Sequence, residues 1–410
     1  MAAYRRLLEL LTSQWLCRSL IFELAKRSFN GLLPIVLASS FLVKKYVLFA
    51  AGVVIFCKRT YQNDWIREER VLFSIWSCMN AWMVIAAFNL YFTNGSFFPK
   101  VGSLEIDFVR NVGIAFGVFV CSMSCVRSLQ GISTLFFSCL ATLIVGAFVL
   151  WSKELGNFPA LYQARLQSGL VQFGFDDLSA LLGVALVLFW YRDGRPSWLF
   201  YFTLTVGAVF LGLSLGRRTG LLFVVLYLIC ICWRERRAVL GVFLGGVLGV
   251  VIHQVPFGLL NRVDTAVGDA AAVADTANAS IRILQPVHSQ VANEGRLELY
   301  RNFFENFRSL SFFGQDVSPI RFTTEGITSF HNVLMDAAWY GGVFGFAFAL
   351  IGLTLIFYVW TRSRKTVFGT LLLIFILAGQ LVAAPPFSNL LAFNLILPIF
   401  FLATLRPQNA

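Results

Sequence analysis

Three groups of residues in this chain have types and spacings suited to handling an anionic ligand such as a phosphate. Arg217 and Arg218 are adjacent and lie between Gly216 and Gly220. Arg296 follows Gly295 and precedes Tyr300 by four positions. His331 stands between Phe330 and Asn332, two residues after Ser329. A planar guanidinium grips two phosphate oxygens at once, where an ammonium is a point charge. The polar stretch from Arg262 to Arg321 holds six arginines and no lysine. Glycines beside Arg217 and Arg218 let the backbone approach an anion, and a helix opening there adds its positive dipole end. Ser329 reads as an N-cap, which places His331 at a helix start, where imidazolium is disfavoured and the neutral ring can accept a proton. The plain alternatives are an interfacial arginine pair, an Arg296 stacked on Tyr300 and a structural histidine.

Two further features accompany them. Arg165 leads through Gly169 to Asp176 and Asp177 at the mouth of an apolar run. Adjacent helical positions point about 100° apart, so these acids do not converge on a metal. Asp177 can pair with an arginine, accept from a sugar hydroxyl or simply cap the helix. Arg296, Tyr300, Phe303, Phe304 and Phe307 recur at the spacing of one helical face. Glu298, Arg301, Glu305 and Arg308 fall opposite, as a solvated ion-pair ladder of little consequence. His253 and His288 read as ordinary loop residues.

The elements that position these residues are apolar spans. The 410 residues are 58% hydrophobic and 13% charged, which excludes an ordinary soluble domain. Forty-three phenylalanines and ten tryptophans suit lipid-facing surfaces and interfacial belts. Runs near 28–43, 46–57, 71–92, 108–126, 131–151, 170–191, 198–214, 219–233, 238–254, 331–358, 366–384 and 389–405 give about twelve transmembrane helices. Residues 1–27 form a basic amphipathic helix on the anionic membrane surface, with Leu7, Leu11 and Trp15 opposite Arg5, Arg6 and Arg18. A cleavable signal peptide over residues 26–40 is the rival, opposed by the apolar run that follows Lys44 and Lys45. The expected architecture is an all-α integral membrane protein. Its order is an interfacial helix (1–27), spans one to nine (28–254), a long, partly helical external loop or lid (255–330) and spans ten to twelve (331–410). Eight cysteines lie in or beside the spans and none in the loop, so free buried thiols are expected, with no disulfide framework and no metal.

Charge fixes the orientation. With both termini inside, the inner segments collect 19 of the 33 basic residues and 7 of the 21 acids, leaving the outside balanced at 14 against 14. Basic residues inside and a neutral outside are what insertion favours. The net charge of +12 is therefore an orientation signal and does not call for a nucleic-acid partner.

Taken in order, these pieces resemble the O-antigen ligase and polymerase superfamily of bacterial envelope glycosyltransferases. The similarity covers roughly residues 160–345 and rests on four segments: Arg165 to Leu182, Gly216 to Gly220, Gly295 to Phe304, and Ser329 to Leu334 running into Tyr340, Gly341 and Gly342. The pair Asp176 and Asp177 departs from the family's usual Pro-Asn, and two arginines stand at the turn where one is usual. The resemblance implies a multi-pass inner-membrane enzyme that moves a glycan from an undecaprenyl-diphosphate carrier at the periplasmic face. Arg217 or Arg218, Arg296 and His331 carry over, with Arg165, Tyr300, Asn332 and Asp177 beside them as substrate-binding candidates.

Under that resemblance, an acceptor hydroxyl attacks the anomeric carbon and a diphosphate leaves. No Asp-x-Asp metal pair occurs in the chain, so the arginines are expected to offset the departing charge without a cofactor, and His331 to act as base. Expected partners are the lipid-linked donor, lipid A–core oligosaccharide as acceptor, membrane lipids and other envelope glycan-assembly proteins. Polymerisation of O-antigen and transfer to protein use the same donor. A transporter of anionic lipids is the reading from another class, and it calls for helices broken within the membrane.

Overall fold

The computed structural model describes residues 32–38, 46–95, 100–101, 104–105, 108–128, 130–139, 141–142, 197–214, 228, 232, 235–264, 300–301, 303–305, 307, 311–314, 330, 332–363, 367–378, 380–381 and 390–404. These are helical but for turns and one short ladder. The principal elements are α1 (Tyr46–Tyr61), α2 (Arg67–Asn94), β1 (Lys100–Val101), β2 (Leu104–Glu105), α3 (Phe108–Cys125), α4 (Trp198–Ser214), α5 (Arg236–Asp264), α6 (Val333–Arg362), α7 (Val367–Ala378) and α8 (Leu390–Thr404). Among the described residues, three helices are long and apolar enough to cross a membrane: Arg67–Thr93, Phe108–Cys125 and Val333–Arg362. The chain is thus built as an α-helical, membrane-embedded protein.

The strands pair antiparallel, Lys100 with Glu105 and Val101 with Leu104, across a two-residue Gly-Ser connection. This minimal ladder is a local addition to an otherwise helical fold, as expected of an all-α protein. Hydropathy misses it because two residues a side leave no periodicity to read.

Helix pairs meet where small residues let backbones approach. Gly241, Gly245 and Gly249 place one edge of α5 on Trp198, Phe202 and Val209 of α4, and the two helices run parallel. α2 and α6 run antiparallel, with Trp82 against Gly341 and Gly345 and Met79 against Gly352. α3 packs against both α1 and α8, and Trp76 of α2 stacks on its Phe119 at 5.5 Å.

α6 is not continuous. Gly342 has φ 64° and ψ −157°, and the next two amide groups leave the helical ladder. Val343 N–H donates to Ser311 O and Phe344 N–H to Phe312 O, both at 3.3 Å. The loop residues Ser311–Gly314 are thereby hooked onto the break, and the Ser311 hydroxyl donates to Gly314 O to close their turn. A Cβ at Gly342 would overlap Ser311 O, Phe312 O and Gly314 N.

Gly342→Ala therefore combines a left-handed backbone with three overlaps and should destabilise by at least ~2 kcal/mol. Gly246→Ala, where a Cβ meets nothing within 4 Å, should leave thermal unfolding in detergent unchanged. Equal melting temperatures for the two variants would show that the hook contributes nothing.

Candidate functional site

The start of α6 is the described centre of the candidate site. Asn332 adopts an extended conformation, φ −143° and ψ 118°, and its Oδ1 accepts from the N–H groups of Leu334 at 3.0 Å and Met335 at 3.3 Å. The cap is therefore Asn332, not Ser329, and the helix begins at Val333, two positions after His331. An Asx carbonyl reaches the N2 and N3 amides as well as a hydroxyl does, so two good capping types three residues apart left the sequence ambiguous. As a substrate-binding candidate, Asn332 spends its carboxamide oxygen on this cap, and its amide nitrogen is the part available to a ligand.

Asp336 lies one turn inside and is fully buried. Its Oδ1 accepts the Phe330 N–H at 2.9 Å, and its own N–H donates to Asn332 O at 2.9 Å. The Phe330 ring, also buried, packs edge-on against Phe303 at 5.3 Å and Trp339 at 5.4 Å. Phe303 belongs to a loop helix described at residues 300–301 and 303–305, and half-buried Tyr300 packs on the same cluster. The loop helix and the start of α6 thus touch. Trp82 and Trp339 bury their indole N–H groups without a hydrogen-bond partner, leaving polar donors in an apolar wall.

The aromatic face expected of the loop helix is narrower than its spacing suggested. Phe303 is 4% exposed, whereas Phe304 is 64% and Phe307 48% exposed. Neighbouring residues diverge by about 100° around a helix, so Phe303 and Phe304 cannot both face inward. On the outer side, Arg301 and Glu305 pair at 2.9 Å while largely exposed, the low-value surface pair expected there.

His331, Arg165, Asp177, Arg217, Arg218 and Arg296 lie outside the described residues, as do Asp176 and His288. His253 falls within α5, which continues to Asp264, ten residues past the end of its expected span at 254. Among the described residues no group of three His, Cys, Asp or Glu side chains is arranged to hold a metal ion. Six described cysteines, at 57, 78, 121, 125, 139 and 232, carry free thiols.

Sequence reasoning missed an ionic cluster at the opposite end of α2. Glu69 is 1% exposed and is gripped by Arg59 and by Arg127, whose Nε and Nη2 lie 2.8 and 2.6 Å from the two carboxylate oxygens. Arg127 also reaches the Asp64 carboxylate at 2.6 Å, and the Arg59 guanidinium lies 4.1 Å from the centre of the Trp65 ring. Glu69 further accepts from Ile66 N–H at 3.3 Å, which ties the cluster to the first turn of α2. The two arginines respond oppositely to the shared carboxylate. Burial pulls Arg59 below the usual arginine pKa although Glu69 opposes it. Arg127 is less enclosed, and its hydrogen bond to Glu69 pushes it up. The shared carboxylate makes the cluster a staple joining α1, α2 and α3. Arg59, Asp64, Glu69 and Arg127 meet where α1 and α3 end and α2 begins.

Compared with protein-family models, curated proteins and solved structures, the chain matches none.

Removing one member of a buried pair leaves the other charge uncompensated, so Glu69→Ala should cost ~3–5 kcal/mol. Asp64 is half exposed, so Asp64→Ala should cost less than ~1 kcal/mol. Unfolding titrations in mixed micelles measure both, and a smaller loss for Glu69→Ala than for Asp64→Ala would contradict the staple.

Proposed function

We propose that the chain is a glycosyltransferase of the bacterial inner membrane. In this reading it moves O-antigen polysaccharide from undecaprenyl diphosphate to lipid A–core oligosaccharide at the periplasmic face, with both termini in the cytoplasm. The observation that supports it best is the contact between Phe303 and Phe330, which joins the loop helix after Arg296 to the residue before His331 at the mouth of a membrane-length helix. The order of the four sequence segments supplies the rest of the argument.

The acceptor hydroxyl oxygen bonds to the anomeric carbon as the bond from that carbon to the diphosphate oxygen breaks. The electron pair leaves on the diphosphate, and the hydroxyl proton passes to His331. Arg218, Arg217 and Arg296 offset the charge that grows on the leaving oxygens. Attack opposite the leaving group inverts the anomeric centre. Tyr300, Asn332, Arg165 and Asp177 are assigned to the diphosphate and the first sugars, and the polyprenyl tail stays in the bilayer.

A transporter is the second reading, and the break in α6 at Gly342 is the observation that favours it, because transport sites are often built at interrupted helices. The break is occupied by a piece of the same chain, which argues for a loop anchor there. Flux of lipid-linked glycan into vesicles without covalent transfer would favour transport. Within the enzyme reading, a deletion strain separates ligase from polymerase: full-length glycan retained on carrier identifies a ligase, and lipopolysaccharide bearing a single repeat identifies a polymerase.

With purified protein, carrier-linked donor and lipid A–core, turnover should persist in excess chelator. Arg218→Ala should slow transfer on the order of 10²–10³-fold, the usual effect of removing one oxyanion donor. His331→Ala should abolish turnover while donor binding stays near wild type. Activity lost to chelator and restored by a divalent ion would refute the arginine clamp, and loss of donor binding in His331→Ala would refute its role as base.

A further inference from the structure

We infer that Asp336 is a positioning residue for the proposed transfer, its side chain holding the backbone of Phe330, the residue before His331, against the start of α6. The inference rests on the glycosyl-transfer reading and adds to it a residue outside the family-like set. Asp336 is 0% exposed within a helix long and apolar enough to span a membrane, where a carboxylate is costly and marks function. Starting the helix does not require it, because Asn332 already accepts from Leu334 and Met335. What Asp336 adds lies before the cap: its Oδ1 holds the Phe330 N–H at 2.9 Å. Its backbone N–H donates to Asn332 O at 2.9 Å as the first ordinary bond of the helix, which a residue of any type but proline would make there. The carboxylate thus ties the residue before His331 to the first turn of α6. The Phe330 ring, wedged between Phe303 of the loop and Trp339 of α6, resists rotation of that strap. A base that must meet an acceptor hydroxyl within hydrogen-bond reach depends on such support, since about 1 Å of misplacement costs on the order of 10² in rate.

The test compares three variants in detergent with carrier-linked donor and lipid A–core acceptor. Asp336→Asn keeps an acceptor oxygen for Phe330 N–H and should retain kcat to within about threefold. Asp336→Ala removes the acceptor and should lower kcat on the order of 10²-fold, with donor KM changed less than about threefold. Asp336→Glu keeps the charge but shifts the oxygen by a methylene, and it should fall towards the alanine variant, which keeps the question decidable if the alanine variant does not fold. Amide exchange across residues 329–332 should quicken in Asp336→Ala and Asp336→Glu and stay slow in Asp336→Asn. If Asp336→Asn is as inactive as Asp336→Ala, the negative charge and not the acceptor position matters, and the positioning role is overturned. Three variants with wild-type kcat overturn it equally. A wild-type protein that transfers nothing is a different result, because it refutes the glycosyl-transfer reading itself.

Discussion

Every peptide N–H in a membrane-length helix has to find an acceptor within the protein, because hydrocarbon supplies none. α6 meets that demand in an unusual way at Gly342. Where the backbone turns left-handed, the carbonyls of Ser311 and Phe312 take the amide groups of Val343 and Phe344. This substitution does more than repair a break. It fixes Ser311–Gly314 in register with the helix, and Phe303, Phe330 and Asn332 are held to the same element. Phe303 then meets Phe330, and Phe313 lies 5.5 Å from Phe344. The candidate site depends on that register.

The two ends of α2 are stabilised by different physics. Near its C-terminal half, Trp82, Met83, Ala86 and Leu90 form an aromatic and aliphatic cluster with Phe108, Phe303, Phe330 and Tyr340. At its N-terminus, Glu69 is clasped by two guanidinium groups. Apolar packing tolerates small shifts, whereas a buried ion pair is costly unless its geometry is kept. The ionic end thus pins the helix axially, and the aromatic end is where loop residues can pack.

Hydropathy read the interiors of the helices well and their polar ends poorly. α4 has the bounds expected of its run, and α3 ends within a residue of expectation, since both are bounded by abrupt changes in polarity. α2 starts four residues early, because Arg67, Glu68, Glu69 and Arg70 are helical yet charged. α1 likewise takes in Lys58 and Arg59. In the site, the sequence pointed to the segment around His331 but chose the wrong cap. It could not show that Asp336 turns back to Phe330, because one acid at a helix mouth looks like a dipole partner. The break at Gly342 was equally silent, since paired glycines are common where membrane helices merely pack.

The ionic staple also bears on how the protein is made. Glu69 and Arg127 are 58 residues apart in sequence, so Glu69 is made well before Arg127 exists. Until then Arg59 is the main counter-charge near Glu69, and that end of the young hairpin has reason to stay hydrated. Arrival of α3 closes the seam with two more hydrogen bonds to the same carboxylate. The seam that joins α1, α2 and α3 therefore cannot be completed before α3 has been made.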